Sequence, residues 1–464
     1  LWRPGLANVT FYLMLFGVFA RALGEPFFTR PMFRELALIA NVAEIAAVGL
    51  FFTIIIATLQ RSGKTLERHD GFILAATAFF VVQAIYDLGL LYGTTVVGLP
   101  REKLVYLVSV YQGPLRDLQI HGFALLMILG VGIRMFPALF GFRVPGPAAV
   151  RAALGLIVVA VLGEAVFFIL MRRYGGLAMT TGTYGSMLLL ALTTIGLTWR
   201  WLARPTESDR SIKFVRAAVG WLHVSMLMLV LAPVYMHWLL PAVATLSAGG
   251  RRAVEIGFSH AYGGAVRHAI TVGFISMMIL GMAAKVVPTL NGVDLRRLRS
   301  LWVPFVLVNT GCAMRVIFQI ATDFSASAYP IAGVSGLLEV SGIGLWGAHL
   351  WCVMNGWAPA AAYAGARPAR ITADDKVGLI VEWFPQTLPL FLGKGFRPLG
   401  NPLMRKTVAR TISVRQAAAH QELDLDSLLT ELNEAAFGAV AATPGDPPAT
   451  LPVPLAVLDN GAPS

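Results

Sequence analysis

The sequence predicts an all-α protein: a polytopic membrane helix bundle of about ten spans with an internal parallel repeat, followed by a small soluble helical domain. Three observations predict this fold. Hydrophobic residues make up 56% of the 464 residues and charged residues only 13%, whereas soluble domains are about one quarter charged. Apolar runs long enough to cross a bilayer as a helix recur along the chain. Two similar apolar segments also lie 151 residues apart.

The apolar runs are interpreted as helices because a segment in lipid must satisfy its backbone polar groups internally. The cores of the ten predicted spans are residues 8–25, 36–58, 71–98, 118–140, 152–171, 183–201, 217–240, 264–284, 301–322 and 331–354. The chain begins at Leu1 rather than at Met. We therefore expect it to be a fragment that further helices precede.

The distribution of positive charge predicts the orientation of the bundle. The loops after spans two, four, six and eight carry thirteen Lys and Arg residues, whereas the other loops carry nine. Cytoplasmic loops carry the excess of positive charge, so we expect the first group of loops and the C-terminus in the cytoplasm, with the bundle in a bacterial inner membrane. The net charge of +12 is assigned to this topology, and we expect no nucleic-acid partner.

The repeat aligns GFALLMILGVGIRMFPALFGF (122–142) with GFISMMILGMAAKVVPTLNGV (273–293), and nine of the 21 positions are identical. The copies lie four spans apart, so both should cross the membrane in the same direction, as in a parallel repeat about an axis along the membrane normal. Arg134 aligns with Lys285. Both are expected at inner helix ends, where long cationic side chains extend to the interface.

A shift in composition after residue 355 predicts the domain organisation. We predict a transmembrane bundle at 1–355, a linker at 356–370, a small helical domain at 371–436 and a Pro-rich disordered tail at 437–464. The small domain shows an amphipathic helical pattern, whereas the tail has the composition of segments that cannot bury a core.

Six of the eight histidines lie in or beside the predicted spans, where ionisable residues are functional candidates. They are His121, His223, His237, His260, His268 and His349. The predicted topology places four of them near the outer face: His121, His237, His260 and His268. Imidazole is the usual nitrogen ligand of haem iron, copper and zinc, so a metal or haem site between helices is one interpretation. The alternative is that each histidine is only an interhelical hydrogen-bonding group.

Further charged residues within the apolar runs include Glu44, Asp87, Glu164, Arg315 and Glu339. A buried Arg needs a partner, and Glu339, on the next span, is a plausible partner for Arg315. Arg315 could instead bind a haem propionate, because its guanidinium fork matches a carboxylate. Cys312 and Cys352 form no metal or redox motif and are interpreted as packing thiols.

Several of these segments resemble the NnrS family of multi-spanning bacterial membrane proteins linked to nitric oxide metabolism. RHAITVGFISMMILGMAAKVVP, which contains His268, resembles a motif of that family; CAMRVIFQ with Arg315 and SGIGLWGAHLW with Trp346 resemble its last two helices. HGFALLMILGVGIRMFP resembles its earlier repeat. The resemblance covers about residues 70–355 and implies about twelve spans, haem and copper as cofactors, and relief of nitrosative stress. It matches His268 to the family's motif histidine and His121 to the related position in the earlier repeat.

The C-terminal region resembles a second family, the small helical domain found beside hybrid-cluster and iron–sulfur repair proteins. The resemblance lies in ITADDKVGLIVEWFPQTLPLFLGKGFRPLGNP and LDLDSLLTELN. That domain often carries Cys-x-x-Cys after its Gly-Phe, and Pro398 and Asn401 stand at those places here. The resemblance therefore implies a docking or dimerising role, with a cytoplasmic protein as the partner, rather than thiol chemistry.

The leading hypothesis is an NnrS-like haem and copper membrane protein of the nitric oxide response, whose partners are the lipid bilayer and nitric oxide. The residues expected to contact the cofactor are His121, His237, His268 and Arg315. One alternative is a divergent haem–copper oxidase or nitric oxide reductase subunit, although the His-His pair of those enzymes is missing from the sequence. The other is a secondary transporter, favoured by the repeat and by Asp87, Glu164 and Glu339. Whether the protein is an enzyme is left open.

Overall fold

The computed structural model describes residues 2–63, 65–203, 209–243, 245–291, 293, 295, 298–357, 368–406 and 408–438. The part of the chain before residue 355 is built from long helices with one short helix between them. The helices are α1 Pro4–Phe27, α2 Pro31–Arg61, α3 Arg68–Thr95, α4 Arg101–Phe140, α5 Pro147–Tyr174, α6 Leu177–Thr198, α7 Ile212–Ala242, α8 Ala248–Ile256, α9 His260–Leu290, α10 Trp302–Ala321 and α11 Ala328–Met354.

In the described residues, nine of these helices are long and apolar enough to cross a membrane, namely all except α6 and α8. The prediction of an all-α polytopic membrane bundle is therefore confirmed. Helix α6 has 22 residues and overlaps the sixth predicted span, but its N-terminal half is rich in Thr and Ser. Two of those hydroxyls, on Thr183 and Ser186, donate to the carbonyl four residues before, so their polarity is satisfied within the helix.

Helix α4 is much longer than the span predicted at 118–140. It has 40 residues, which corresponds to about 60 Å at about 1.5 Å per residue, roughly twice the hydrocarbon core of a bilayer. Its first seventeen residues, REKLVYLVSVYQGPLRD, carry too many charges to be recognised as part of an apolar run. The sequence therefore predicts the membrane-embedded part of α4 but not its extension.

The repeat is present in the structure, and it extends to the helix before each copy. Gly122 of α4 packs against Phe79 of α3, and Gly273 of α9 packs against Trp221 of α7. About two turns later, Gly130 packs against Phe72 and Gly281 against Phe214. The same antiparallel pairing thus recurs with the same spacing, and glycine is needed because a Cβ at these positions would lie within 3 Å of the neighbouring helix.

We call the end of the bundle at which α4 and α9 terminate the tail face, and the opposite end the far face. Lys285 of α9 is only 2% exposed. Its Nζ donates to the Leu139 carbonyl at 2.8 Å and pairs with Asp209 at 2.7 Å. The expectation that Lys285 extends to the interface is therefore wrong, because an acidic partner just before α7 holds the ammonium inside. Arg134, its counterpart, is exposed and lies 2.9 Å from the His69 ring.

The C-terminal region folds around its own hydrophobic core, which includes Ile380, Phe384, Phe391 and Leu432. Its helices are α12 Val377–Trp383, α13 Leu388–Gly393, α14 Pro402–Lys406, α15 Val414–His420 and α16 Leu425–Phe437. The small helical domain is thus observed and docks on the tail face. Most of the predicted linker, residues 358–367, and most of the predicted Pro-rich tail, residues 439–464, lie outside the described residues.

Candidate metal site

Three side chains from two helices form a compact group near the far face. Asp117 and His121 lie on α4 and Glu164 lies on α5, and one donor atom from each residue lies within 4.8 Å of the other two. His121 Nδ1 is 2.9 Å from Glu164 Oε2. His121 is 4% exposed and Glu164 is 1% exposed. An imidazole and two carboxylates in this arrangement match the ligands of a divalent transition metal.

A local irregularity of α4 positions this group. The backbone changes from α- to π-helical pairing over Leu118–Leu125, directly after Asp117 and around His121. Pro114, one turn earlier, has no backbone N–H to donate, so it already disturbs the regular pattern there. Asp117 and His121 are four residues apart and share one face of the helix. Single π-helical stretches of this kind are frequent at functional sites.

Helix α9 carries the matching irregularity over Ala269–Ser276, 151 residues after the one in α4. The two π-helical segments contact each other, so the candidate site lies beside the contact between the repeats. At this offset His268 corresponds to Asp117, and His121 corresponds to Val272. The matching of His121 to the position in the earlier repeat that is related to His268 is therefore wrong by four residues, a little more than one helical turn.

A cavity of about 90 Å³ borders the group. Its lining includes Asp117, His121 and Glu164 together with Tyr184 of α6 and Arg267 of α9. With both carboxylates ionised and the imidazole neutral, the three ligands carry two negative charges, and Arg267 offsets one of them. The cavity has room for a few waters but lies well below the roughly 300 Å³ of a typical ligand pocket.

His268 belongs to a separate pair. Its Nε2 is 2.7 Å from Glu339 Oε1, and both side chains are mostly buried. Because His268 engages Glu339, the predicted Arg315–Glu339 ion pair does not form. The Arg315 guanidinium donates instead to Gln319 Oε1 and to the Ala332 carbonyl, each at 3.1 Å.

The other histidines are not brought together with His121. His237 is exposed at the far end of α7, where its ring meets Tyr184 edge-on, and His260 is exposed beside a second cavity of about 380 Å³ that Arg315 also lines. His349 lies near the tail face, 2.9 Å from Arg210. Among the described residues, Asp117, His121 and Glu164 are the one group of three with metal-ligand geometry. The assignment of the other histidines and of Arg315 to a cofactor stays a prediction.

Two of the predicted buried carboxylates, Glu44 and Asp87, pair with the guanidinium of Arg21. The sequence analysis did not predict this partner. Arg21 of α1 bonds to Glu44 at 2.8 Å and to Asp87 at 2.6 Å. Asn41 also donates to Asp87. These contacts join α1, α2 and α3, so the two carboxylates have a structural role in packing the first three helices.

Asp117 and Arg267 were also missed as site residues. The predicted span began at residue 118, one position after Asp117, so the residue was counted as part of a loop. The spacing Asp-x-x-x-His on a helix could have revealed it, because residues four apart share a helix face. Arg267 lies inside the predicted span 264–284, where an ionisable residue is itself a signal of function, but its place at the site depends on the packing of α9 against α4.

Comparison with protein families gives two matches. Residues 3–356 match a family model described as NnrS protein. Residues 371–429 match one described as a domain of unknown function, DUF1858. Among curated proteins, none matches the chain.

Proposed function

The chain belongs to the NnrS family, whose members are linked to nitric oxide, and from this premise we propose that it holds a copper ion between Asp117, His121 and Glu164 as part of the nitric oxide response. The protein acts in protection from nitrosative stress, in the inner membrane of a bacterium and with its tail domain in the cytoplasm. Haem is its second cofactor and is bound elsewhere in the bundle.

The observation that supports the copper site is the geometry of the three ligands. Donor atoms that all lie within 4.8 Å of one another can each approach a single ion to about 2 Å with small side-chain adjustments. Copper(II) accepts imidazole nitrogen and carboxylate oxygen together. The two negative charges of the carboxylates also match a divalent ion in a buried place, where an uncompensated pair of like charges is costly.

Haem does not fit at this group. The adjoining cavity of about 90 Å³ is several times smaller than the roughly 300 Å³ at which ligand pockets begin. A diatomic molecule such as nitric oxide fits in the same space. The size of the cavity therefore favours a small gaseous ligand over the larger substrates of a transporter.

The protein's own residues prepare the site in three ways. His121, when neutral, can carry its proton on Nε2, which leaves the Nδ1 lone pair, 2.9 Å from Glu164 Oε2, as the ligand. Arg267 supplies positive charge that limits repulsion between the carboxylates. The apolar part of the lining, which includes Ile120 and Phe168, restricts access of water. Bound copper would supply a redox-active centre to which nitric oxide can bind.

The test is a titration of the purified, copper-free full chain in detergent with Cu²⁺, followed by electron paramagnetic resonance. We expect one tight equivalent in the wild type. Glu164→Gln should weaken copper binding by at least the roughly 10–100-fold that loss of an outer-shell partner costs, because it removes a charged ligand, and His121→Ala should weaken it further. The matched control is His237→Ala, which removes an exposed histidine outside the group and should bind copper like the wild type.

Thermal unfolding of each copper-free variant shows whether it is folded. A second measurement, the infrared N–O stretch after nitric oxide is added to the copper-loaded protein, should give a band that His121→Ala abolishes. An unchanged copper signal in both folded variants would contradict the proposed site.

A further inference from the structure

The cavity of about 380 Å³ at the far face is separate from the candidate metal site. Its lining comes from α8, the first turn of α9, the end of α10 and the first two turns of α11. Its volume falls in the range of roughly 300–1,000 Å³ at which pockets hold small molecules. Among the described lining residues, the two cavities share only Phe258. The larger cavity is therefore a second place where a ligand can bind.

The repeat relates the larger cavity to the smaller one. Arg315 and Gln319 of α10 line the larger cavity, and Glu164 and Phe168 of α5 line the smaller one. Each residue of the first pair follows its counterpart by 151 residues, the offset of the repeat. Helix α10 also packs against the first part of α9, as α5 packs against the first part of α4. The second copy thus carries a cation where the first carries a carboxylate, which indicates a ligand of the opposite charge.

The guanidinium of Arg315 has donors that the protein does not use. It has five N–H groups. Nε donates to Gln319 Oε1 and Nη1 donates to the Ala332 carbonyl, so three N–H groups, two of them on Nη2, have no partner among the described residues. Both acceptors are neutral, and no described carboxylate pairs with this guanidinium. Arg315 lies six residues before the end of α10, about 9 Å into the bundle, where a charge without a counter-ion is costly.

The one described carboxylate on the lining faces other partners. Asp323 is 3% exposed, and its Oδ2 accepts from the hydroxyls of Tyr235 and Ser259. The lining also carries two arginines, Arg252 and Arg315. Their positive charge exceeds the single negative charge of Asp323, so the cavity as a whole favours an anion.

Most of the remaining lining is apolar and includes Ala253, Ile256 and Phe258. Space is also open beside Gly333 of α11, because no atom lies within 4 Å of the place that its Cβ would occupy. Apolar walls with a few convergent polar groups are typical of a site for an organic molecule.

We propose that this cavity binds an organic carboxylate. Arg315 holds the carboxylate group, since the planar guanidinium can donate two parallel hydrogen bonds to it, and the apolar body of the ligand lies against Ile256 and Phe258. A monoanion also matches the single excess positive charge of the lining. The ligand is either a fatty acid from the bilayer or a soluble carboxylate from the water at the far face, because both present the same group. The site does not depend on copper.

The test is isothermal titration of the purified full chain, in a non-ionic detergent, with hexanoate. We expect one saturable site. Arg315→Gln keeps an amide donor but removes the charge, so it should weaken hexanoate binding by about tenfold or more, the loss expected for one charge-assisted hydrogen bond. Hexanamide, the uncharged analogue, should bind the wild type more weakly by a similar factor. Arg251→Gln is the matched control, because Arg251 lies beside Arg252 on α8 but does not line the cavity, and it should bind hexanoate like the wild type.

A second variant leaves Arg315 in place. Gly333→Leu puts a side chain into the open space and should block hexanoate binding. Gly336→Leu is its control, because Gly336 also has open space at its would-be Cβ but does not line the cavity. Thermal unfolding without ligand shows whether each variant is folded.

The source of the ligand is tested with the wild type in phosphatidylcholine nanodiscs that contain palmitate, followed by native mass spectrometry. Bound palmitate that Gly333→Leu loses would identify the bilayer as the source, whereas binding of hexanoate without palmitate would identify the water. Equal hexanoate binding by the wild type and the folded Arg315→Gln and Gly333→Leu variants would overturn the proposal, and so would equal affinities for hexanoate and hexanamide. Copper binding by Arg315→Gln should equal that of the wild type, so either site can fail while the other stands.

Discussion

Lys285 shows how a single residue acquires a different role in each copy of the repeat. Its counterpart Arg134 stays exposed, whereas Lys285 is buried against Asp209 and the Leu139 carbonyl. Burial alone would raise the pKa of Asp209, but the ion pair with Lys285 and the hydrogen bonds from Ser211 outweigh it and hold the pKa below its usual value. The pair therefore stabilises the folded protein while Asp209 is ionised.

Asp209→Asn should destabilise the protein by about 3–5 kcal/mol at neutral pH, because it leaves the Lys285 ammonium buried without its partner. The double variant Asp209→Asn, Lys285→Met should recover most of this loss. In the wild type, the contribution of the pair is fully present above the ordinary carboxyl pKa of about 4 and is lost as the pH falls through the lower folded-state pKa. Thermal unfolding in detergent between neutral and acidic pH measures both effects.

The control for this prediction is Asp374→Asn in the tail domain, where the carboxylate is half exposed and 3.7 Å from Arg415. That change should alter stability by less than about 1 kcal/mol. A melting temperature of Asp209→Asn equal to that of the wild type would show that the buried ammonium finds another partner.

At this scale the sequence identifies candidates but not their partners. His121 and Glu164 stand out because ionisable residues are rare in membrane helices. Their pairing joins residues 43 positions apart, and that of Lys285 with Asp209 joins residues 76 positions apart. Such contacts depend on which helices are neighbours, and the apolar pattern of one helix contains no information about its neighbours.

At the scale of a helix, the paired π-helical segments of α4 and α9 depend on close helix contacts at Gly122 and Gly273. A Cβ on Gly273 would lie 2.5 Å from Trp221 Cγ. The side chain of Trp221 is held by a hydrogen bond from its Nε1 to Asn309 Oδ1, so it has little freedom to move away. The contact between α7 and α9 must therefore open if the glycine is replaced.

Gly273→Ala should destabilise the protein by about 1–3 kcal/mol, the usual cost of overpacking a well-packed core. Gly336→Ala is the matched control, because Gly336 also lies in a membrane helix but no atom lies within 4 Å of its would-be Cβ. That control should be neutral or stabilising by up to about 1 kcal/mol, since Ala is the better helix former. The measurement is the thermal unfolding of Gly273→Ala and Gly336→Ala. Equal melting temperatures of the two variants would show that α7 and α9 separate at little cost.

The apolar runs predicted the existence of the helices better than their lengths or irregularities. Charged residues at both ends of the first seventeen residues of α4 hide its true extent. In a π-helical turn each backbone N–H donates to the carbonyl five residues earlier instead of four. The amino-acid composition is the same in both cases, so the apolar pattern does not reveal the turn. The repeat was visible because Gly130, Pro137 and their counterparts Gly281 and Pro288 recur, and the structure explains the two glycines by close contacts with the preceding helix.

At the scale of the whole molecule, the tail domain is attached to the bundle by a buried hydrogen bond. Gln416 Nε2 donates to the Leu139 carbonyl at 3.0 Å, and Lys285 Nζ donates to the same oxygen. The last carbonyls of a helix have no partner within the helix. The end of α4 therefore offers an acceptor that the second repeat and the tail domain both use.

Gln416→Glu should weaken this docking. The carboxylate can still accept from the Ser413 backbone N–H, so the cap of α15 is kept, but it cannot donate to Leu139 and it brings a negative charge to a carbonyl oxygen. We expect faster hydrogen exchange at Val414–His420 and at the end of α4, with the core of the tail domain unchanged. Gln386→Glu, which removes a donor to Ala436 within the tail domain, is the control and should leave exchange at α4 unaltered. Identical exchange in Gln416→Glu and the wild type would contradict a docking role.

The length of α4 has a mechanical consequence. The same 40-residue helix ends under the tail domain at Leu139 and carries Asp117 and His121 some 30 Å away at about 1.5 Å per residue. A hydrogen-bonded helix resists compression along its axis, so a displacement of its end by the tail domain would be transmitted to Asp117 and His121. The tail domain is thereby joined by a continuous helix to the candidate site near the far face of the bundle.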